Sequence, residues 1–313
     1  MAINLVRFAA GADHRWGVVR SGEVFPLVGY YPTTAALIER GESDWRNPRA
    51  EPIALSTLEL LSPVTTPCRI FCQGANYRQH MIESGLDPDA KTFNMFFTKS
   101  DASVAPATGT VQRPAHVSLL DYEIELALVF RRPIQAPVTI TRETLSDYIF
   151  GATIANDISA RDVQLPQMQF FKGKSYRGFC PIGPWLTVLE PDEFALLDNL
   201  DLTLAVNGAV RQSDTTANLV FKPAETISEL STFANVVPGD VLLTGTPNGC
   251  ALRVPPPMVR RILQLLPERP FWELFVSSQR RRPEYLKPGN SITATIRSID
   301  GRLDLGEQRI SVA

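Results

Sequence analysis

This sequence of 313 residues contains few histidines and cysteines and has a low net charge. Three histidines and four cysteines offer neither a clustered zinc site nor a disulfide scaffold. Cys68 and Cys72 lie close together in an apolar segment with no second cysteine pair, so we interpret them as reduced, buried thiols. The formal net charge of −2 gives no electrostatic reason to expect binding to nucleic acid or to an anionic membrane.

Long apolar segments are also missing from the sequence. No run approaches the roughly 18 apolar residues that a membrane-spanning helix needs, and the first residues turn polar too early for a secretory signal peptide. We therefore expect a cytoplasmic protein that does not interact with membranes. The remaining composition, with 44% hydrophobic and 20% charged residues, is that of a globular chain able to bury a sizeable core.

Short β-prone runs separated by turn residues dominate the sequence and predict a mainly β protein of the α+β class. The dipeptide Asn207-Gly208 between two alternating runs is a typical hairpin turn. A proline-containing linker predicts a small β-rich amino-terminal domain at residues 1–62 and a catalytic domain at residues 63–313. A proline-punctuated stretch at about 251–288 is typical of a surface insert or a lid.

Acidic residues on two predicted strands form the first candidate site. Side chains alternate along the predicted strand Tyr122–Phe130, so Glu123 and Glu125 project on the same face. Asp157 follows a second β-prone run. Three carboxylates from two strands would form an all-oxygen site suited to Mg²⁺ or Mn²⁺. Taken separately, the glutamates are also compatible with an exposed acidic pair, and Asp157 with a helix or turn cap.

Two further candidates contain basic side chains. Lys174 follows Gly173 in an aromatic-rich segment, which is unusual for a solvated lysine, although a surface position stays open. His80 and Glu83 are three residues apart on a predicted helix and meet on one of its faces. A carboxylate in that arrangement can orient an imidazole as a general base for water, but the same spacing also suits a purely structural pair.

Taken together and in order, these segments resemble the fumarylacetoacetate hydrolase family. The resemblance covers residues 67 to 249 well and residues 286 to 299 less well. The motifs that carry it are GANYRQHMIE (74–83), DYEIELALV (121–129), NDISARDVQ (156–164), GKSYRGFCPIGP (173–184), VNGAVRQ (206–212) and PGDVLLTGTPNG (238–249). It implies a mixed β-sandwich roll, a bound divalent metal and a homodimer.

The resemblance also implies roles for individual residues. The implied metal ligands are Glu123, Glu125 and Asp157. The implied catalytic residues are His80, Glu83 and Lys174. The residues implied to lie near the substrate are Tyr77, Arg78, Gln164 and Thr246. The sequence departs from the family pattern at residues 176–178, in the insert and at residues 288–290, and none of these departures touches the implied metal ligands.

For the reaction, the resemblance favours hydrolysis of a carbon–carbon bond in an acylpyruvate-like 1,3-diketo acid, which releases pyruvate or a related 2-oxoacid and a carboxylic acid. The metal and Lys174 would stabilise the departing enolate, while His80, oriented by Glu83, would deprotonate water. Oxaloacetate decarboxylation and 2-oxoacid isomerisation or hydration pass through the same enolate and stay as alternatives. A binding protein without turnover is a further alternative, which would have no chemical reason to keep the whole site.

Overall fold

A computed structural model of the chain describes residues 2–83, 85–90, 93–253 and 266–313. In chain order its strands are β1 (Ile3–Ala10), β2 (Asp13–Arg20), β3 (Glu23–Pro26), β4 (Ile53–Ala54), β5 (Leu60–Leu61), β6 (Ile70–Gly74), β7 (Met95–Lys99), β8 (Val104–Pro106), β9 (Thr108–Val111), β10 (Leu120–Asp121), β11 (Ile124–Phe130), β12 (Ile149–Asn156), β13 (Ser159–Ala160), β14 (Cys180–Ile182), β15 (Leu186–Val188), β16 (Leu200–Val206), β17 (Ala209–Thr215), β18 (Val241–Leu243), β19 (Ser291–Ser298) and β20 (Asp304–Val312). The α-helices are α1 (Thr34–Arg40), α2 (Glu42–Arg46), α3 (Arg78–Glu83), α4 (Arg161–Gln164), α5 (Phe170–Lys174), α6 (Pro223–Leu230) and α7 (Glu268–Arg280). Short 3-10 helices lie at Leu55–Thr57, Asp101–Ser103, Leu145–Asp147, Pro191–Asp198 and Thr216–Asn218.

Most of the strands form two packed layers, and β10 and β13 form a separate two-stranded sheet. Among the described residues the larger sheet holds 13 strands, and its main path runs β4-β3-β2-β1-β15-β12-β11-β18-β6-β7. Strands β11 and β12 are antiparallel neighbours within it. A five-stranded sheet, β17-β16-β19-β20-β9, shares a hydrophobic core with one face of the larger sheet. The predicted mainly β fold, a mixed β-sandwich roll, is thereby confirmed.

Strand β11 is buried on both of its faces. Leu126 and Leu128 lie in the core shared with the five-stranded sheet, whereas Ala127 and Val129 lie in a second core on the opposite face. Charged side chains at the end of such a strand cannot remain in water and must find partners in the protein. An exposed acidic pair, one of the two interpretations of the glutamates, is therefore wrong.

The first 62 residues add strands to the same large sheet. Strand β1 pairs antiparallel with β15, and its residues Ile3 and Leu5 lie opposite Val188 and Leu186. Leu5 also belongs to the second core, beside residues of β11 and β12. The sheet is thus continuous across the predicted boundary at residue 62, and the division into two domains stays a prediction.

The described part of the insert packs against its own chain. Helix α7 buries Phe275 and Gln279 and places Val276 against the main core. The apolar run around Val259 and Ile262, which could cover the site or contact a partner, lies outside the described residues. Among the residues that are described, no helix combines the length and the apolar character needed to cross a membrane.

Candidate active site

Three buried carboxylates converge where β11 begins and β12 ends. Glu123 immediately precedes β11, Glu125 is the second residue of that strand, and Asp157 directly follows β12. The backbone N–H of Asp157 donates to the carbonyl of Glu123 at 2.8 Å, which joins the two strand ends. Carboxylate oxygens of the three residues lie within 4.8 Å of one another. The antiparallel register therefore gathers the predicted triad into a set of hard oxygen donors of the kind that binds Mg²⁺ or Mn²⁺.

A glycine turn after β18 brings a backbone donor to Glu125. The N–H of Gly245 donates to Oε2 of Glu125 at 2.7 Å. Gly245 has a φ of +94°, and a Cβ at this position would lie 3.0 Å from the Cβ of Asn76. Asn76 in turn holds the turn, because its Nδ2 donates to the carbonyl of Thr244 at 3.0 Å. Both the backbone conformation and the available space require glycine here.

Two buried lysines neutralise part of this charge. Nζ of Lys174 donates to Glu123 at 2.6 Å and to one oxygen of Asp157 at 2.5 Å. Lys99, which sequence reasoning does not single out, donates to the other oxygen of Asp157 at 2.5 Å and to the carbonyl of Phe179 at 3.0 Å. Both oxygens of Asp157 are thus bound by ammonium groups in charge-assisted hydrogen bonds, which give this fully buried carboxylate two partners.

Arg161 is a third buried cation that sequence reasoning does not single out. Its Nε donates to Asp121 at 2.8 Å, one Nη donates to Glu123, and the other donates to Oε1 of Gln164 at 2.9 Å. The spacing of Arg161 and Gln164 on α4 was the available signal, since residues three apart on a helix share a face. Arg161 connects Glu123 to a residue that was predicted to contact substrate.

Among the residues that the structure describes, the acidic side chains buried at the site outnumber the basic ones. The buried ionisable groups comprise four carboxylates, Asp121, Glu123, Glu125 and Asp157, and three cations, Lys99, Arg161 and Lys174. Burial opposes ionisation of Glu123, but Arg161 and Lys174 outweigh it and hold the pKa of Glu123 below its usual value. Burial, reinforced by Asp157 and Glu123, holds the pKa of Glu125 well above its usual range. A divalent cation would supply the positive charge that Glu125 lacks, so these residues suit the predicted metal.

Lys174 is held in place by close backbone packing. A Cβ on Gly173 would lie 2.8 Å from the backbone nitrogen of Gln164, so only glycine lets α5 approach α4 this closely. The Lys174 ammonium also lies 5.1 Å from the ring centroid of Phe97. Burial lowers the pKa of Lys174, but Asp157 and Glu123 outweigh that effect and keep it above its ordinary value. Lys174 is therefore a fixed positive charge and not a proton acceptor.

A cavity of about 240 Å³ opens onto these groups. Its polar lining consists of Gln73, His80, Glu123, Glu125, Arg161, Gln164, Lys174 and Thr246. Its apolar lining includes Leu86, Met95, Phe97, Leu165, Phe170 and Leu252. Apolar walls with a few convergent polar groups are typical of a small-molecule site.

The two members of the predicted catalytic dyad have different partners in this structure. His80 lines the cavity and is half-buried. Burial lowers the pKa of its imidazole and, together with the positive charge of Arg161, outweighs the negative charge of Glu123, which raises it. Glu83 instead forms an ion pair of 2.6 Å with Arg253 of the insert. No hydrogen bond joins His80 to Glu83 among the described contacts, and the dyad stays a prediction.

The four residues predicted to lie near the substrate fall in two places. Gln164 and Thr246 line the cavity. Tyr77 is fully buried, and Arg78 is exposed and forms an ion pair with Asp89 at 2.5 Å; neither is among the residues that line the cavity. Substrate contact stays a prediction for all four, and the structure supplies direct cavity access for Gln164 and Thr246.

The insert emerges at the cavity wall. Leu252 lines the cavity, and the backbone N–H groups of Ala251 and Leu252 donate to Asp121 at 2.7 and 3.1 Å. Asp121 also accepts a hydrogen bond from Arg161, which in turn bonds to Glu123. One buried carboxylate thus joins the start of the insert to the carboxylate triad.

Known proteins are similar to this chain in sequence and in architecture. Oxaloacetate tautomerase YisK of Bacillus subtilis (strain 168) is 38% identical over 214 residues, which are 66% of this chain and 68% of that protein. The structure of a fumarylacetoacetate hydrolase from Exiguobacterium antarcticum is 27% identical and has a TM-score of 0.75 over 99% of both chains. A 2-hydroxyhepta-2,4-diene-1,7-dioate isomerase from Mycobacterium marinum, 22% identical, shares the fold with a TM-score of 0.71 over 99% of this chain and 98% of that one. Residues 69–312 match the family model for the fumarylacetoacetate (FAA) hydrolase C-terminal region, and the chain belongs to the fumarylacetoacetate hydrolase family.

Proposed function

We propose that this chain is a metal-dependent enzyme that interconverts the keto and enol forms of a short dicarboxylic 2-oxoacid of the oxaloacetate type. The observation that carries the proposal is a single cavity that presents a fixed cation, Lys174, together with a half-buried imidazole, His80. The similarity to a tautomerase named for oxaloacetate supports this reaction over the others that share an enolate.

The carboxylate triad would hold Mg²⁺ or Mn²⁺, which supplies Lewis-acid polarisation of the substrate when bound. Enolisation removes a proton from C3 and leaves negative charge on the 2-oxo oxygen. Lys174 stays protonated beside this charge and stabilises it without having to reorient. His80 is neutral at pH 7 because its pKa lies below the ordinary value, so it can accept the C3 proton. Delivery of that proton to the 2-oxo oxygen gives the enol, and the reverse transfer, from the enol oxygen to C3, gives the keto form.

Gln164 is suited to orient the substrate carboxylate. Arg161 donates to Oε1 of Gln164 at 2.9 Å, so the amide of this cavity-lining residue keeps its NH₂ group as a hydrogen-bond donor. A carboxylate held there would place C2 and C3 in the cavity that His80 and Lys174 line. Positioning of this kind accounts for a large share of catalysis in reactions of small substrates.

The apolar lining favours a second candidate function, hydrolysis of an acylpyruvate-like 1,3-diketo acid. Met95, Phe97 and Phe170 would contact its acyl tail. Hydrolysis requires an activated water as well as an enolate, and Glu83 would have to leave Arg253 before it could orient His80 for that task. Tautomerisation requires only the proton transfer and is therefore the first candidate.

The reaction is tested by following the ultraviolet absorbance of enol-oxaloacetate in the presence of Mg²⁺ or Mn²⁺. We expect the protein to accelerate the loss of this absorbance. The His80→Ala substitution should slow the enzymatic rate by on the order of 10²–10⁴-fold, the usual contribution of a general base. His14→Ala, which removes an exposed histidine bonded to Arg7, is the matched control. Release of pyruvate from acetylpyruvate without enol decay would favour the hydrolase, and release of carbon dioxide from oxaloacetate would favour a decarboxylase.

The pH dependence of turnover tests the role of His80 separately. A base must be unprotonated, so kcat/KM should fall as the pH drops through the pKa of His80. Because burial lowers that pKa, we expect the acid limb of the profile below the ordinary imidazole value of 6.5. An acid limb that persists unchanged in the residual activity of His80→Ala would show that another group accepts the proton.

A further inference from the structure

An ion pair connects the insert to the helix that carries His80. Nη1 of Arg253 lies 2.6 Å from Oε2 of Glu83, and the two side chains are 46% and 27% exposed. A pair as open to water as this contributes little to stability, because solvent competes for both partners. Glu83 therefore occupies a position on Arg253 that another carboxylate can take.

The backbone of Arg253 is fixed although its side chain is open to solvent. Its N–H donates to Oε1 of Gln279 at 3.3 Å, and its carbonyl accepts from Nε2 of the same side chain at 3.1 Å. Gln279 is buried, and the hydroxyl of Tyr285 donates to its Oε1 at 2.9 Å. On the other side, Leu252 lines the cavity and donates its N–H to Asp121. The backbone of Arg253 is thus anchored from both sides, and the residue directly follows one that lines the cavity.

The other cations near the cavity have different partners. Lys174 and Arg161 line it, but both are bonded to buried carboxylates that cannot leave. Arg78 is exposed on α3 and pairs with Asp89. Neither Arg78 nor Arg253 lines the cavity itself, but Arg253 directly follows the cavity-lining Leu252, whereas neither chain neighbour of Arg78 lines the cavity. Among the residues that the structure describes, Arg253 is therefore the cation beside the cavity wall whose partner, Glu83, is free to exchange.

We propose that Arg253 is the specificity-determining residue that binds the distal carboxylate of a dicarboxylic 2-oxoacid in place of Glu83. This inference rests on the proposed function. Glu83 and His80 lie three residues apart on α3 and share one face, so a displaced Glu83 can reach the imidazole. A carboxylate bonded to an imidazole orients it and raises its basicity. The correct substrate therefore assembles the dyad, whereas an uncharged tail leaves Glu83 on Arg253.

Two ligands without a C3 proton test this by binding alone. Difluoro-oxaloacetate carries the distal carboxylate, and trimethylpyruvate carries a neutral tail in its place. In calorimetric titrations with Mg²⁺ present, we expect Arg253→Gln to weaken difluoro-oxaloacetate by about tenfold or more, since a charge-assisted hydrogen bond is lost. Binding of trimethylpyruvate should change by less than about twofold, and Arg253→Lys should recover part of the lost affinity.

The Glu83→Gln substitution should change the affinity for difluoro-oxaloacetate in the opposite direction. It removes the competitor for Arg253, so difluoro-oxaloacetate should bind more tightly, which damage to the fold would not produce. Arg269→Gln is the matched control, because it breaks an exposed pair with Glu273 on the same insert helix. Equal losses for both ligands in Arg253→Gln, weaker binding in Glu83→Gln, or no preference for the dicarboxylate in the wild type would each overturn the inference.

The same ligands separate this inference from the proposed function, because neither can enolise at C3. A protein that binds them as expected but does not tautomerise oxaloacetate would leave the role of Arg253 standing and overturn the proposed reaction. A protein that tautomerises oxaloacetate with unchanged KM in Arg253→Gln would support the reaction and overturn the role of Arg253.

Discussion

Glu125→Gln is expected to abolish turnover and leave the metal-free protein at least as stable as the wild type. The side chain keeps its shape, and its amide oxygen can still accept from the N–H of Gly245. Burial and the neighbouring Asp157 and Glu123 disfavour the ionised form of Glu125 and raise its pKa, and the neutral amide avoids this cost. A metal contributes several kcal/mol to such a reaction, so turnover should fall by on the order of 10³-fold or more.

Three measurements on one sample check this expectation: calorimetric binding of Mg²⁺ or Mn²⁺, turnover, and thermal unfolding in EDTA. Glu23→Gln is the control, since Glu23 is an exposed residue of β3. Full activity of the wild type in EDTA would show that the triad is not a catalytic metal site. Wild-type metal affinity in Glu125→Gln would remove Glu125 from the ligand set.

Lys174→Met should have the opposite effect on the metal-free protein. Glu123 and Asp157 would lose the ammonium group that lies 2.6 and 2.5 Å from their oxygens. Glu123 would keep only Arg161 and Asp157 only Lys99 as a cationic partner. Breaking a buried ion pair costs up to about 3–5 kcal/mol, so thermal unfolding should occur at a lower temperature. Turnover should fall about 10²–10³-fold, the usual effect of removing one preorganised donor. Metal affinity should rise, because the lysine no longer competes for the same oxygens.

Lys172→Met is a close control for this variant, because Lys172 is an exposed residue two positions earlier on α5. It should leave stability, metal affinity and turnover unchanged. Added Mg²⁺ or Mn²⁺ should restore much of the stability of Lys174→Met but not its turnover. A Lys174→Met protein that turns over at the wild-type rate would show that the enolate charge is stabilised by other groups.

Local patterns were sufficient to locate the carboxylate triad. The alternation of side chains in a strand places Glu123 and Glu125 together, and turn chemistry places Asp157 at the end of its run. The apolar residues Ala127 and Val129 on the glutamate face were the signal that this strand is buried on both sides. The structure agrees because strand periodicity is a property of the backbone and holds wherever the strand packs.

The burial of Lys99 and the long-range contact of Asp121 could not be predicted from local patterns. Lys99 meets Asp157 across 58 residues, and Asp121 meets the N–H of Ala251 across 130 residues. A lysine at the end of a short strand is usually solvated, and nothing in the neighbouring residues of Lys99 indicates a buried partner. The contact does not arise from pairing of neighbouring strands, since β6, β18 and β11 lie between β7 and β12 in the same sheet.

By itself, the sequence determined the mainly β fold, the shared face of Glu123 and Glu125, and the common helix face of His80 and Glu83, since each depends only on backbone periodicity. The tertiary structure decided which partner each charge meets. Helical spacing allows Glu83 to bond to His80, yet the fold brings Arg253 to it from 170 residues away. An ion pair between distant residues depends on where the chain folds back, and no local pattern of side chains encodes that return.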